Sequence, residues 1–263
     1  MLTIVRRLLR AVIPYSIVDW IRKWRTLRTI GYSTFPLNAV DVNRAYSAAK
    51  RASFDLLPPG SLPTLHTLVD VGANHGLWTE SALTCASPDR VLAIEPGPAA
   101  YESLLAQFAD HSRVHLHKVV AGEQEGEMDF HVTASDDLSS VLAPNDSFSQ
   151  VLGSHTAVES TVKREVVPLD HLLADLDEVS VLKIDVQGFE LPVLRGAQAT
   201  LQKTRFVLVE MNYFTKYEGG SDFTAVHRAL TDADFQLRDL SVPNVVNGRA
   251  TFSDALYQNP DLL

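Results

Sequence analysis

From Leu65 onward, two spacings of apolar residues alternate along the chain. Short aliphatic runs recur at Leu65 to Val71, Val91 to Glu95, Val114 to Ala121, Val179 to Asp185 and Phe206 to Met211. Such runs mark strands buried on both faces of a sheet. Between them, residues 77–86, Pro98 to Asp110, Glu190 to Gln202 and Phe223 to Ala233 carry helical spacing, and Pro98 stands near a helix start, where its missing N–H is no loss. Crossovers of this length predict right-handed βαβ units in a parallel sheet. Residues 123–167 break the rhythm: Met128 to Thr133 and Val162 to Val167 are strand-like, with a polar loop rich in Ser and Asp between them. This predicts a β insertion or a loop that covers substrate. Phe235 to Leu240 and Ala255 to Gln258 predict a closing pair of strands around the Asn244–Gly248 turn. The fold class is therefore α/β, a mostly parallel central sheet with helices on both faces, a β insertion and an N-terminal helical arm.

The arm is expected to occupy residues 1–60 and the domain residues 61–263. A helix over 41–57 is stopped by Pro58-Pro59-Gly60. Within residues 1–30, Leu2, Val5, Leu9, Val12 and Ile13 recur at helical spacing opposite arginines, and Trp20 and Trp24 continue the pattern. The apolar stretch Ala11 to Val18 is interrupted by Pro14 and is much shorter than the roughly 20 residues of a membrane span. No small-residue cleavage site follows it. A basic amphipathic segment with tryptophans can lie on an anionic membrane surface; the competing reading is an arm that packs on its own domain or on a partner chain.

Composition narrows the function. The chain has 263 residues, 46% of them hydrophobic, and a formal net charge of −9. Residues 1–30 hold seven basic residues against one acid, Asp19, so the remaining body is more acidic than the total suggests. Such a body repels nucleic acid, and no nucleic-acid partner is expected. Cys85 is the single cysteine, which excludes an internal disulfide and a cysteine-rich zinc site and fits a cytoplasmic protein. No dense carboxylate cluster marks a metal site, and none is assigned.

The chemistry concentrates at strand ends. Leu68-Val69-Asp70-Val71-Gly72-Ala73-Asn74-His75-Gly76 reads as a strand running into a glycine turn and then a helix. Glycines there let the backbone approach a ligand, and the helix start offers unpaired N–H groups. A dinucleotide turn would carry G-x-G-x-x-G. Here Asn74 takes the place of the middle glycine, which favours a phosphate-free nucleoside, S-adenosylmethionine, over a nicotinamide dinucleotide. Glu95, 19 residues after Gly76 and followed by Pro96, ends the next strand, where a carboxylate can accept from the two hydroxyls of a ribose. Asp70, Gly72, Asn74, His75, Gly76, Glu95 and Pro96 are the candidate cofactor residues.

The second informative segment runs Lys183-Ile184-Asp185-Val186-Gln187-Gly188-Phe189-Glu190 and on through Leu194-Arg195-Gly196-Ala197. With the glycine turn, Glu95-Pro96, Leu138-Ser139-Ser140, Pro168-Leu169-Asp170, Val209-Glu210 and Asp254-Ala255-Leu256-Tyr257, it resembles the FkbM-type methyltransferases over about residues 66–258. One departure is Gln187, where the family usually has Glu. The resemblance implies a Rossmann-like methyltransferase fold, S-adenosylmethionine as cofactor, and O-methylation of a hydroxyl on a sugar, a lipid or a natural product. Two alternatives stay open: a non-catalytic nucleoside-binding scaffold, favoured by Gln187, and an NAD-binding oxidoreductase.

An alcohol acceptor must lose a proton during transfer. Asp185, at the carboxyl end of a central strand, is the leading base or orienting group. Lys183, two residues earlier on the same sheet face, can pair with it. Glu210 ends the next strand and can line the same crevice. Glu190 suits a helix N-terminus as well as catalysis. Asp136 and Asp137, beside Ser139 and Ser140, either close over the ligands or lie in a solvated loop. Tyr213, Phe214 and Tyr217 either stack on the acceptor or cap the core. Neither the acceptor nor the oligomeric state is legible.

Overall fold

A computed structural model describes residues 54–246 and 248–262. Of the arm expected over residues 1–60, residues 1–53 lie outside the described residues, among them the amphipathic stretch of 1–30 and residues 41–53 of the helix expected over 41–57.

The main sheet contains β1 (Thr67–Val71), β2 (Arg90–Ile94), β3 (Val114–His117), β7 (Val179–Ile184), β8 (Thr204–Asn212), β10 (Asn244–Val246) and β11 (Arg249–Gln258), in the order β10-β11-β8-β7-β1-β2-β3. β9 (Gln236–Leu240) also pairs with β11. From β3 across to β8 every pairing is parallel, and β11 joins β8 antiparallel. The chain winds outward from β1 to β3 and then returns to the other side of β1 with β7. Such a reversal opens a crevice at the carboxyl ends of the strands, where open α/β sheets bind their ligands. The second sheet is β4 (Val120–Ala121), β6 (Val158–Val167) and β5 (Gly126–Thr133), in the order β4-β6-β5. It is the expected β insertion.

Alternation along each strand divides the core between the two sheet faces. Leu68, Val181, Phe206, Leu208 and Leu256 pack on one face with Trp78 and Ala82 of α1 (Leu77–Cys85) and Leu104 and Phe108 of α2 (Pro98–Phe108). Phe54 and Leu57, upstream of the boundary expected at residue 61, belong to this cluster. Cys85 packs at its edge, partly buried. Val69, Val71, Leu182, Ile184, Val207 and Val209 fill the other face with helical residues from the later half of the chain. Those helices are α4 (Leu169–Leu172), α5 (Glu190–Arg195), α6 (Gln198–Gln202) and α7 (Phe223–Asp232); α3 (Asp146–Leu152) lies within the insertion. Asn145 caps α3 by accepting from the Phe148 N–H, and Asp222 caps α7 by accepting from the Ala225 N–H. Among the described residues no helix is long and apolar enough to cross a membrane.

Three elements differ from expectation. The strand expected over Val114 to Ala121 is divided between two sheets: β3 pairs with β2, and after Lys118 and Val119 the chain pairs with β6 instead. The helix expected over Glu190 to Gln202 is broken at Gly196, where a Cβ would collide with the carbonyl of Gly122. The Gly196 carbonyl accepts from the Asp170 N–H, and the Asp170 carboxylate caps the next helix through the Ala199 and Thr200 N–H groups. Finally, a third strand, β10, joins the tail.

Candidate active site

The glycine turn is built by backbone contact. Gly72 and Ala73 both donate to the Ile94 carbonyl at the end of β2. Gly72 has φ +77°, and a Cβ there would overlap the Asp185 carbonyl oxygen just beyond β7. The space that glycine leaves is therefore filled by the neighbouring strand end. Gly76, at φ +83°, caps α1, and a Cβ there would meet the Phe108 ring at 2.6 Å. The space beside Gly76 is thus taken by α2. Asn74 has φ +48° and its Oδ1 accepts from the His75 N–H at 2.6 Å.

Glu95 lies just past β2, buried at 6% exposure. Its Oε2 accepts from the Asn74 N–H at 2.8 Å and its Oε1 from the Gly97 N–H at 2.6 Å. Each oxygen keeps lone pairs for one more donor, the arrangement that two vicinal hydroxyls need. Burial raises this carboxyl to about 7, against the lowering effect of the two amides and Lys183. The Pro96 carbonyl accepts from Arg164 Nε at 2.6 Å, which fastens the second sheet to this loop. His75 holds neighbouring segments together: Nδ1 is 2.9 Å from Ser103 Oγ of α2, and Nε2 is 3.3 Å from Asp136 Oδ2 of the insertion.

Asp70 is fully buried and supports the turn from beneath. Thr79 Oγ1 donates to its Oδ2 at 2.8 Å, and Lys183 Nζ lies 3.0 Å from its Oδ1. Lys183 also donates to the Gly72 carbonyl at 2.8 Å and stands 3.7 Å from Asp185 Oδ2. Burial pulls its ammonium down, but Asp70 and Asp185 outweigh burial and the net shift is upward. Lys183 is thus a permanent cation between the turn and the β7 end.

Beyond it, the tips of β7, β8 and β11 gather acids. Asp185 keeps 37% side-chain exposure, whereas Glu210 is 7% exposed and bound to Lys216 at 3.1 Å. Asp254 stands opposite Glu210 in register. Burial raises Asp254 to about 7, and Glu210 and Asp185 add to it. Glu210 is also shifted upward by burial, against the pull of Lys216. Glu190 is fully buried and accepts from the Gly188 N–H at 2.9 Å; burial raises it to about 8. Among these acids Asp185 is the most accessible to a ligand.

Several contributors were not foreseen from the sequence. Lys216, Thr79 and Asp254 join through contacts between distant segments. Tyr217 was expected either on the acceptor or as a cap; it is 1% exposed, its hydroxyl within 3.0 Å of both the Leu138 carbonyl and Gln187 Oε1. Tyr213 remains the accessible aromatic of that loop, at 37% exposure. Among the described residues no three His, Cys, Asp or Glu side chains are grouped as a metal ion needs.

This geometry fits a nucleoside without a pyrophosphate. Of the amides at the start of α1, the His75 N–H is already taken by Asn74, while Glu95 keeps acceptors suited to a ribose. Fold and site together define the class of Rossmann-like nucleoside-binding proteins. The sequence pattern of the family described as "Methyltransferase FkbM domain" matches residues 70–237. The chain therefore belongs to the FkbM methyltransferase family, whose cofactor is S-adenosylmethionine. This sets aside the oxidoreductase alternative.

A 2-O-methyltransferase, NoeI, from Sinorhizobium fredii is 27% identical over 168 residues, which cover 60% of this chain and 68% of that protein. A hexuronic acid methyltransferase, AglP, from Haloferax volcanii is 28% identical over 150 residues, covering 55% of each protein. The crystal structure of an FkbM methyltransferase from Methylobacillus flagellatus KT is similar with a TM-score of 0.48 and 17% identity, covering 92% of this chain and 62% of that one. The chain thus spans less than two thirds of that solved relative.

Proposed function

We propose that the protein methylates a hydroxyl group of a sugar-containing acceptor, with the nucleoside held at the β1 and β2 ends and the acceptor at the ends of β7, β8 and β11. The observation that carries this reading is the juxtaposition of the two ends. The Glu95 carboxylate waits beside the glycine turn, and that turn abuts the backbone of Asp185. One relative is named for 2-O-methylation and another for a hexuronic acid, which supports a sugar hydroxyl over the lipid and natural-product acceptors.

When bound, S-adenosylmethionine supplies a methyl group activated by its sulfonium. The chain's residues then have two tasks. Glu95 holds the ribose hydroxyls and, through Asn74, fixes them relative to the turn. Asp185 orients the acceptor hydroxyl and takes its proton as the oxygen gains the methyl. Lys183 offsets the charge of Asp70 and Asp185 and keeps the Gly72 carbonyl in place. Glu210, locked to Lys216, shapes the acceptor wall.

Calorimetric titration with S-adenosylmethionine, with NADH as control, tests the cofactor half. Micromolar binding is expected, weakened about 10-fold or more in Glu95→Ala by loss of two charge-assisted hydrogen bonds. Equal affinity in the variant would overturn the role of Glu95. Transfer of labelled methyl to a panel of oligosaccharides, lipids and small alcohols tests the acceptor half, and a preference for the non-sugar alcohols would overturn that.

A further inference from the structure

β8 runs past the end of β7: Ile184 is level with Val209, and Glu210, Met211 and Asn212 continue beyond it. Side chains alternate along a strand, so Leu208, Glu210 and Asn212 share the sheet face that carries Lys183. β11 flanks them, with Asp254 level with Glu210 and Phe252 level with Asn212. Asn212 therefore stands two residues, about 7 Å, beyond Glu210 along the wall of the proposed acceptor crevice. It is 3% exposed, and its Oδ1 has no hydrogen-bond partner among the described residues. Its NH2 group faces the Glu210 carboxyl, a contact that lowers that acid, so the amide is fixed with Oδ1 turned away. A buried acceptor without a donor is rare in a folded protein, and one in a crevice wall is completed by what enters the crevice.

The donors of this wall are already engaged. Lys183 Nζ serves the Gly72 carbonyl, Asp70 and Asp185. Lys216 Nζ, 6% exposed, holds Glu210 Oε1 at 3.1 Å and lies 4.3 Å from the centre of the Phe252 ring. Gln187 Nε2 donates to Asp185 Oδ1 at 2.9 Å, and the single Tyr217 hydroxyl proton goes to the Leu138 carbonyl or to Gln187 Oε1. Both lysines are thus paired, and the lone pairs of Asn212 Oδ1 remain. A ligand that brings donors matches this wall. A ligand that brings a carboxylate meets Asp254 and Glu210, whose own charge is already disfavoured by burial, and finds no unpaired cation to offset the repulsion.

We propose that the acceptor is a sugar without an acidic group, and that a hydroxyl next to the methylated one donates to Asn212 Oδ1. The inference deepens the reading of a sugar acceptor and rests on it. Asn212 is then a residue of specificity, binding the part of the ring that does not react. Selection has an attractive element, the waiting acceptor, and a repulsive one, the paired lysines among acids. A site built to receive a hydroxyl discriminates strongly against the analogue that lacks it, because its own polar group is then left unpaired.

The test offers the full chain, with labelled S-adenosylmethionine, methyl glycosides and disaccharides in matched pairs that differ only at C6: glucose with glucuronate, galactose with galacturonate. The neutral member of a pair should be methylated with kcat/KM about 100-fold or more above its uronate. Equal or faster transfer to the uronates overturns the inference and leaves the sugar reading standing; transfer to non-sugar alcohols alone overturns the sugar reading itself. In the wild type, a monodeoxy sugar that lacks the neighbouring hydroxyl should show a KM about 10-fold higher than the full sugar, a comparison that needs no variant. Asn212→Ala should raise KM for the full sugar by the same factor, about 10-fold, with kcat and S-adenosylhomocysteine affinity each within about threefold of wild type, and should leave KM for the deoxy sugar unchanged. If Asn212 serves only the fold, Asn212→Ala lowers the melting temperature and leaves KM unmoved, and that result overturns the assignment.

Discussion

The two ends of the crevice are held by different means. At the β1–β2 end, backbone does the holding: Glu95 is fixed by the Asn74 and Gly97 amides, and the turn by Gly72 and Ala73 donating to one carbonyl. At the β7–β8–β11 end, side chains hold side chains: Gln187 to Asp185, Tyr217 to Gln187, Lys216 to Glu210. A backbone cradle accepts few changes in shape and suits a ligand that never changes. A lattice of side chains can be rebuilt one residue at a time.

The contrast can be broken most severely at Gly72. Gly72→Ala is expected to cost several kcal/mol, about 3 or more, since the methyl meets backbone that cannot yield and φ is positive. Denaturant melts should show a protein largely unfolded or far less stable; a wild-type midpoint would mean that the turn is not rigid. Next, Asp185→Asn should reduce methyl transfer about 10²- to 10⁴-fold, while affinity for S-adenosylmethionine changes less than about threefold. A parallel loss of cofactor affinity would show that the ends are not separable.

The smallest effect is one of pH. Burial raises Glu190 from 4.5 to about 8, so the folded state favours its protonated form. Its contribution to stability is complete below the unfolded value and is lost as pH rises toward 8, by up to about 1.4 kcal/mol per pH unit. Glu95 and Asp254, each raised to about 7, add to the slope at lower pH. Glu190→Gln should therefore flatten the fall in unfolding free energy from about pH 5 to about 8, and between about pH 7 and 8, above the Glu95 and Asp254 values, it should leave little slope. An unchanged slope there would place the proton elsewhere.

How much of this was legible follows the same division. The strands, the insertion, the glycine turn and Glu95 were readable because their determinants are contiguous: aliphatic runs, glycines and an acid at a fixed distance. The break at Gly196 was not, because its cause is the carbonyl of Gly122, 74 residues away in the chain. The burial of Tyr217 depended on Gly188 and on the insertion, and a lone sequence does not show which segments meet. Gln187 was conspicuous as a departure, yet its bond to Asp185 became visible only with the left-handed backbone that turns its side chain toward that neighbour.

The overlap that forbids a side chain at Gly72 has a mechanical meaning. The loop that would seat the donor and the loop that carries the acid rest on each other without a compressible layer between them. No hinge, solvent gap or flexible side chain separates the two, so thermal motion of one is shared by the other. Errors of placement near an ångström can cost about a hundredfold in rate. Here the separation between the proposed donor seat and the proposed acid is set by the van der Waals radii of main-chain atoms, the least variable dimension available to a protein.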